Sequence, residues 1–558
     1  MQRLTPLLLS VAFIDIRLPQ QLMGDIILML ERRGSEIDAP FVKSQIDDST
    51  TVVSAQVPSY SPEFGMVREE WTGAHHQHGV DLARLDNDLR LRDIVLVTIP
   101  EPSTSRLGLL HVWTSPKSTY DIDAVRIPWD EVKATRGKLG EGFVDPGGAE
   151  RRDSPVLPND PRPKGDLRED PRNNSEGKNP TNFWFFSKLP SNKKQVMTLM
   201  DVFGTSSSAA EEPTTLSSGI ELDAFRRIML AHSKETDTIL VWADDDDYGL
   251  LSDLTSSLNR TLERIQPGEC DEFVPIPIIR EELPVENSGQ TDPIVVHKSN
   301  RSGHRVTVTA KIQDCRTGIE DISGNSISHV VTSPPYNIGY KPFNDPKPNS
   351  SGQLVAPVRE GYDDDLSPEQ YASLLESCFE EIDTKADPDV FDLYLNIKSN
   401  YSGGSCDLPF YMLELMPDRW RLLDVLIWRY DISFDPGRGK YKPLYEWVIR
   451  VGYGDVDLPE LGMLDWYIPI LKGNSKERKI LTHPAMFPCE LVERCLRESN
   501  RPASLVLDPF LGSGTTLRSC LVLGVNGLGF EINANYVRDI IKRLDMKQVI
   551  GDGNLKRA

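Results

Sequence analysis

The residues best suited to chemistry fall in two short runs. The first is Asp508-Pro509-Phe510-Leu511-Gly512-Ser513-Gly514-Thr515-Thr516, set between an apolar run and a helical one. Gly512 and Gly514 let the backbone approach a ligand closely. A helix starting at Thr515 offers unpaired N–H groups to a carboxylate or another anion. Gly529-Phe530-Glu531 comes at the end of the next apolar run, where an acid can accept both hydroxyls of a ribose, as in dinucleotide-binding folds. A glycine-rich turn alone is also what any tight strand–helix connection needs. Asp508 before it and Glu531 after it favour a site for a nucleoside-bearing cofactor.

The second run is Ser333-Pro334-Pro335-Tyr336, directly after the apolar segment Ile327 to Val331. Two prolines fix the backbone and remove two N–H donors. Outward carbonyls and the Ser333 hydroxyl would add acceptors, and the flat face of Tyr336 could stack on a base. A proline-rich strand exit reads equally well from these residues alone.

Both runs need elements that position them, and the C-terminal part of the chain supplies a strand–helix alternation. Strands are expected at Val306 to Ile312, Ile327 to Val331, Val390 to Ile397, Leu505 to Leu507 and Gly527 to Ile532. Helices are expected at Pro368 to Ile382 and Thr515 to Leu523. Such alternation predicts an α/β fold with a mostly parallel sheet. Polar or Gly/Pro-rich stretches near 136–180, 204–219 and 284–303 read as linkers or long loops. They divide the chain into a unit over 1–280, a linker over 281–304 and a unit over 305–558.

Composition narrows the classes. Of 558 residues, 39% are hydrophobic and 26% charged, which suits globular domains and excludes a disordered or collagen-like chain. No run is long and apolar enough for a transmembrane helix. Leu7 to Ile14 reads as a buried strand rather than a signal peptide. Seven scattered cysteines form no CxxC pair, so neither a zinc site nor a disulfide framework is expected, and a reducing cytoplasm fits best. The net charge of −22 argues against nucleic acid at first sight but leaves room for a local basic cleft. With 38 Arg to 24 Lys, the acidic, lysine-poor surface also suits work at high salt.

Together the two motifs resemble the S-adenosylmethionine-dependent amino-methyltransferases of DNA. The Ser-Pro-Pro-Tyr motif precedes the Asp-Pro-Phe-Leu-Gly-Ser-Gly motif, which is the order of that family's β group. Asp314 in Ile312-Gln313-Asp314-Cys315, the segment His483-Pro484-Ala485-Met486-Phe487-Pro488 and the strand Tyr445-Glu446-Trp447-Val448-Ile449 resemble further family elements. The resemblance runs from about Val306 to Leu544 and implies a Rossmann-like methyltransferase fold. It implies cofactor contacts from Asp314, Asp508, Phe510, Gly512, Ser513, Gly514, Thr515 and Glu531. Ser333, Pro334, Pro335 and Tyr336 would act on the exocyclic amine of a flipped-out base, with no metal. In this family Ser at the first motif position usually goes with cytosine N4, and Asp or Asn with adenine N6. Ser333 therefore favours N4 of cytosine in double-stranded DNA, in a restriction–modification setting where a cognate endonuclease is possible. Adenine N6 methylation, a non-catalytic DNA-binding scaffold and an RNA substrate stay open.

A target-recognition insertion is expected over about 400–480. There Trp428, Arg429, Arg438, Lys440, Lys442 and Tyr445 interleave cations with aromatics and could meet DNA; a solvated loop is the plainer alternative. The first 280 residues echo the same family. Leu18 to Met23 resembles Leu408 to Leu413, and Gly108 to Trp113 together with Tyr120 to Pro128 resembles the target-side strand and its loop. Gly177 to Trp184 resembles the segment before the His-Pro element, and Ala224 to Val241 the helix and strand that lead into the cofactor loop. The next residues are Trp242-Ala243-Asp244-Asp245-Asp246-Asp247, with four carboxylates where glycines would stand. These would repel a cofactor carboxylate. A degenerate copy is expected, acting as an internal pseudo-dimer partner or DNA reader; an unrelated α/β domain is the alternative.

Overall fold

The computed structural model describes residues 26–30, 51–56, 60–61, 65–66, 68, 71, 90–100, 105–114, 183–184 and much of 214–546. The N-terminal half supplies β1 (Ile26–Leu30), β2 (Thr51–Gln56), a short hairpin of β3 (Tyr60–Ser61) and β4 (Gly65–Met66), β5 (Arg90–Pro100), β6 (Ser105–Thr114) and β7 (Phe183–Trp184). Next come α1 (Leu222–His232), β8 (Thr238–Trp242), α2 (Asp245–Ser257) and β9 (Thr261–Arg264). The larger strands form a seven-stranded sheet in the order β7-β5-β6-β2-β1-β8-β9.

The rest of the chain builds a nine-stranded sheet. Its first elements are β10 (Ile294–Ser299), β11 (Arg305–Ile312), α3 (Cys315–Glu320), β12 (His329–Thr332), a two-strand hairpin of β13 (Lys347–Pro348) and β14 (Leu354–Val355), α4 (Pro368–Lys385) and β15 (Val390–Ile397). A hairpin of β16 (Asn400–Ser402) and β17 (Ser405–Asp407), a 3-10 turn (Pro409–Leu415), β18 (Arg421–Arg429), β19 (Tyr445–Gly454) and β20 (Asp465–Tyr467) come after these. The chain then forms α5 (Lys476–Ile480), α6 (Cys489–Glu498), β21 (Leu505–Asp508), α7 (Thr515–Leu523), β22 (Asn526–Glu531) and α8 (Val537–Asp545). The order is β10-β11-β22-β21-β12-β15-β19-β18-β20. Strands β11, β22, β21, β12 and β15 run parallel, and β19 is antiparallel to both β15 and β18.

Local chemistry explains these elements. In β15 every residue from Phe391 to Ile397 is buried, as expected of a central strand covered on both faces. Helix α4 starts at a capping box of Ser367 and Gln370 with Pro368 at its first position, and it buries Tyr371, Leu375, Cys378, Phe379 and Ile382 along one face. The fold is the expected Rossmann-like α/β arrangement. Cys315, Cys378, Cys489, Cys495 and Cys520 are free thiols. No described helix is long and apolar enough to cross a membrane. Leu7 to Ile14 lies outside the described residues.

Two expected boundaries change. The linker 281–304 contains β10, which pairs antiparallel with β11 and packs Ile294 and Val296 on the core. Its beginning is also docked: Arg280 pairs with Glu376, and Arg316 donates to the carbonyls of Leu283 (2.8 Å) and Pro284 (3.0 Å). The expected insertion over 400–480 contributes β18, β19 and β20 to the main sheet, because the buried run Leu422 to Trp428, apolar except for Asp424, must pair in the core. Trp71, Leu91, Ile94, Leu96 and Leu109 of the first half join the core of β15, β18 and β19, while Val53, Val95, Leu110, Phe225, Ile228 and Leu251 form a separate core within that half.

Candidate active site

Parallel β11, β12, β21 and β22 end at one edge of the sheet, where α/β folds gather their ligands. The turns after them face one cleft. Of the residues expected to act, Asp314, Ser333, Pro334, Pro335, Tyr336, Phe510, Gly512, Ser513, Thr515 and Glu531 line it. Arg438, Lys440 and Lys442 lie outside the described residues, as does Pro484 of the His483–Pro488 segment.

Asp508 stands behind the wall rather than in it. Its carboxylate is fully buried and accepts from Thr332 Oγ1 (2.7 Å), Thr516 Oγ1 (2.6 Å) and the Phe510 N–H (3.1 Å). Burial pushes its pKa up to about 6 against these bonds. Asp508 thus ties the end of β12, one residue before Ser333, to the first turn of α7. Its contribution to a cofactor site is to hold the turn. Gly514 likewise does not line the cleft. It caps α7 with φ +84°, a conformation that suits glycine, and no side chain caps that helix. The α7 N-terminus is therefore open to an anionic ligand.

Gly512 has φ +53°, and a Cβ there would sit 2.9 Å from His483 Nε2. His483 lines the cleft, packs edge-on to Tyr536 at 4.5 Å, and is anchored by its backbone N–H on Asp539 (2.8 Å). Glu531 accepts from the Gly512 N–H (2.7 Å) through one oxygen and from the Asn533 N–H (2.8 Å) through the other. Burial raises its pKa to about 7, opposed by those two bonds. Each oxygen keeps further acceptor capacity at the cleft wall. Asp314 caps α3 and is held by Arg316, with Nη2 at 2.6 Å and Nε at 3.1 Å.

Ser333 and Tyr336 form a chain with a residue that motif reading did not single out. Tyr336 Oη lies 2.9 Å from Glu446 Oε2, and Ser333 Oγ lies 3.2 Å from Tyr336 Oη. Asn396 Nδ2 donates to the same Glu446 oxygen (3.1 Å). Burial shifts the Glu446 pKa upward, against the pull of Lys398 and the Tyr336 bond. Tyr371 from α4 donates to the Pro335 carbonyl, and Asn337 is bonded twice to Leu366. The motif is thus braced from three elements. The signal for Glu446 was an acid set among the apolar residues of Tyr445 to Ile449. Leu283 and Pro284, which also line the cleft, carried no signal.

Three residues considered for DNA contact turn out to be core. Trp428 is buried and donates to the Ile468 carbonyl (2.8 Å), Arg429 is buried with its guanidinium 5.3 Å from the Tyr467 ring centre, and Tyr445 is buried. Their strands sit inside the sheet, so side chains that look polar or amphipathic in sequence are covered by neighbours.

Known proteins resemble this chain. The family model described as DNA methylase, N6_N4_Mtase, matches residues 327–543. Type II methyltransferase M.ScaI of Streptomyces caespitosus is 25% identical over 252 residues, 39% of this chain and 74% of that protein. DNA adenine methyltransferase YhdJ of Escherichia coli K12 is 23% identical over 265 residues, 42% of this chain and 81% of that protein. Among solved structures, the PvuII DNA methyltransferase (cytosine-N4-specific) aligns with 44% of this chain and 88% of its own at 21% identity and a TM-score of 0.35. With both motifs on one cleft and the family model spanning them, the C-terminal unit of this chain belongs to the S-adenosylmethionine-dependent amino-methyltransferases of DNA.

Proposed function

We propose that the chain methylates the exocyclic N4 of cytosine within a short sequence of duplex DNA. The observation that carries an amine as target is the hydrogen-bond order at Ser333. Tyr336 has one hydroxyl proton, and Glu446 takes it. Ser333 must then donate its own proton to Tyr336, which leaves its oxygen as an acceptor only. An acceptor-only oxygen at the cleft wall suits an amine N–H and not a carbonyl. Bonds from the amine to Ser333 Oγ and the Pro334 carbonyl would favour a pyramidal nitrogen with its lone pair available. Positioning and electrostatics then supply the rate. The amine is shielded within a duplex, so the base is flipped out, with Tyr336 as its stacking face.

The cleft fits the cofactor. Glu531 offers two buried carboxylate oxygens to ribose hydroxyls, the open α7 N-terminus with Ser513 and Thr515 suits the amino-acid carboxylate, and Phe510 and Asp314 flank the adenine side. When bound, S-adenosylmethionine supplies an electrophilic sulfonium methyl. The family tendency at Ser333 favours cytosine. The likeness to an enzyme named as an adenine methyltransferase supports adenine N6 as the second reading. The likeness to a type II methyltransferase supports a restriction–modification role, in which a cognate endonuclease would be the partner. Incubation with duplex DNA and labelled cofactor at low and high salt, then nucleoside mass spectrometry, tests this. N4-methylcytosine is expected. N6-methyladenine keeps the site and discards the base, and no transfer at any salt discards the reaction.

A further inference from the structure

The two sheets repeat one another. Read from its far edge, the first sheet runs β9-β8-β1-β2-β6-β5-β7. Without β10 and β11, the second runs β22-β21-β12-β15-β19-β18-β20. Both series also keep the same chain order. Sense agrees at every step: β1 is parallel to β2 and β8 as β12 is to β15 and β21. Strand β6 is antiparallel to β2 and β5 as β19 is to β15 and β18. The edge strands β7 and β20 are parallel to β5 and β18. Register agrees too. The β5–β6 pairing shifts between Leu91 and Asp93, and the β18–β19 pairing between Leu422 and Asp424, each inside an Arg-Leu-X-Asp run. The β3–β4 hairpin comes after β2 as the β16–β17 hairpin comes after β15.

The contacts between halves are reciprocal. Strand β4 lies against β18, and β17, its counterpart, lies against β5, the counterpart of β18. Such an exchange is the signature of a two-fold, isologous interface. The segments beyond the two hairpins also meet. Trp71, fully buried, packs on Phe410 (4.6 Å) and Trp447 (6.3 Å). Arg68 donates to carbonyls at the end of the 3-10 turn, Leu413 and Met416 among them. Leu18 to Met23 is therefore not the counterpart of Leu408 to Leu413: it precedes β1, while the matching place after the hairpin holds Arg68 and Trp71.

We infer that the chain is its own dimer. The N-terminal half fills the place of a second methyltransferase subunit, without a cofactor site, and it positions the catalytic strand β19 of the other half. Where the Gly-rich turn would be, only Ala243 and Asp244 connect β8 to α2. Arg264 closes that turn, donating to the Ala243 carbonyl (2.7 and 3.1 Å) and pairing with Asp245. Trp71 bears on Trp447, the neighbour of Glu446, so the half without a site acts on the Ser333–Tyr336–Glu446 chain through packing. Trp71 is a positioning residue in this scheme.

This inference rests on the methyltransferase reading and is tested on the full chain. Titration calorimetry with S-adenosylmethionine, together with light scattering, is expected to give one cofactor per chain and the mass of one chain, 62.7 kDa. Two cofactors per chain, or a doubled mass, overturns the inference. No cofactor binding at all overturns the methyltransferase reading instead. Trp71→Ala is expected to lower kcat by about tenfold or more, with KM for the cofactor within about twofold, and Trp71→Phe to restore most of it. Trp71→Ala with unchanged kcat overturns the positioning role. If Trp71→Ala does not fold, Trp71→Leu replaces it, judged by the same split between kcat and KM.

Discussion

The turn after β21 and the turn after β8 hold the same place in two sheets of the same strand order, yet the first lines the cleft and the second is held by Arg264 on the Ala243 carbonyl. After β21, six residues, Pro509 to Gly514, intervene before α7, and two of them are glycines with positive φ. After β8, two residues intervene, three aspartates begin the helix, and Arg264 fills the space beside them. The end of the next strand also differs: Glu531 ends β22, whereas Arg264, a cation, ends β9. A strand frame is thus cheap to keep, since it rests on many apolar residues. A cofactor turn depends on a few residues with special backbone geometry, and it is lost when those go.

The strongest way to break this contrast is to make the C-terminal turn like the N-terminal one. Gly512→Val places a branched side chain at φ +53° and against the His483 ring; cofactor binding should fall by about a hundredfold or more in calorimetry. Glu446→Gln tests the relay that β6 lacks, where Gly108 takes the place of Glu446. It should lower kcat by about thirtyfold and leave cofactor affinity within about twofold.

A pH series sharpens the comparison further. Glu531 has its pKa raised to about 7 by burial, so it is mostly protonated at pH 6 and ionised at pH 8. If ribose hydroxyls need the carboxylate, cofactor affinity should be about tenfold weaker at pH 6 than at pH 8, and Glu531→Gln should flatten the profile. The sign for stability is opposite. The folded state holds this proton more tightly than the unfolded chain, so the unliganded fold loses this contribution as pH rises from about 5 to 7. Thr516→Val removes one donor from buried Asp508 and should cost about 1–3 kcal/mol in urea melts. The smallest effect belongs to the other turn: Asp245 and Asp246 are exposed, and their change to Asn should leave methyl transfer unaltered in a radiolabel assay.

Much of the C-terminal fold could be read in advance because its signals are local. Val390 to Ile397 and Thr515 to Leu523 match their strand and helix residue for residue, and the two motifs sit at strand ends that strand–helix alternation alone brings to one edge. Residues whose role depends on neighbours distant in sequence were harder to read. Trp428, Arg429 and Tyr445 suggested a DNA face until the sheet covered them. Asp508 suggested a ligand contact, but Thr332, 176 positions away in the chain, claims its carboxylate. Leu283 and Pro284 belonged to an expected linker and instead wall the cleft.

By itself, then, the sequence determined the fold class, the two motifs and their order along the chain, because periodicity, glycine spacing and proline geometry act over a few residues. Tertiary structure alone decided that Glu446 meets Tyr336, that Asp508 braces rather than binds, and that the two halves face each other reciprocally. Those outcomes depend on which strands become neighbours, and burial and hydrogen-bond partners are set only when segments hundreds of residues apart are packed together.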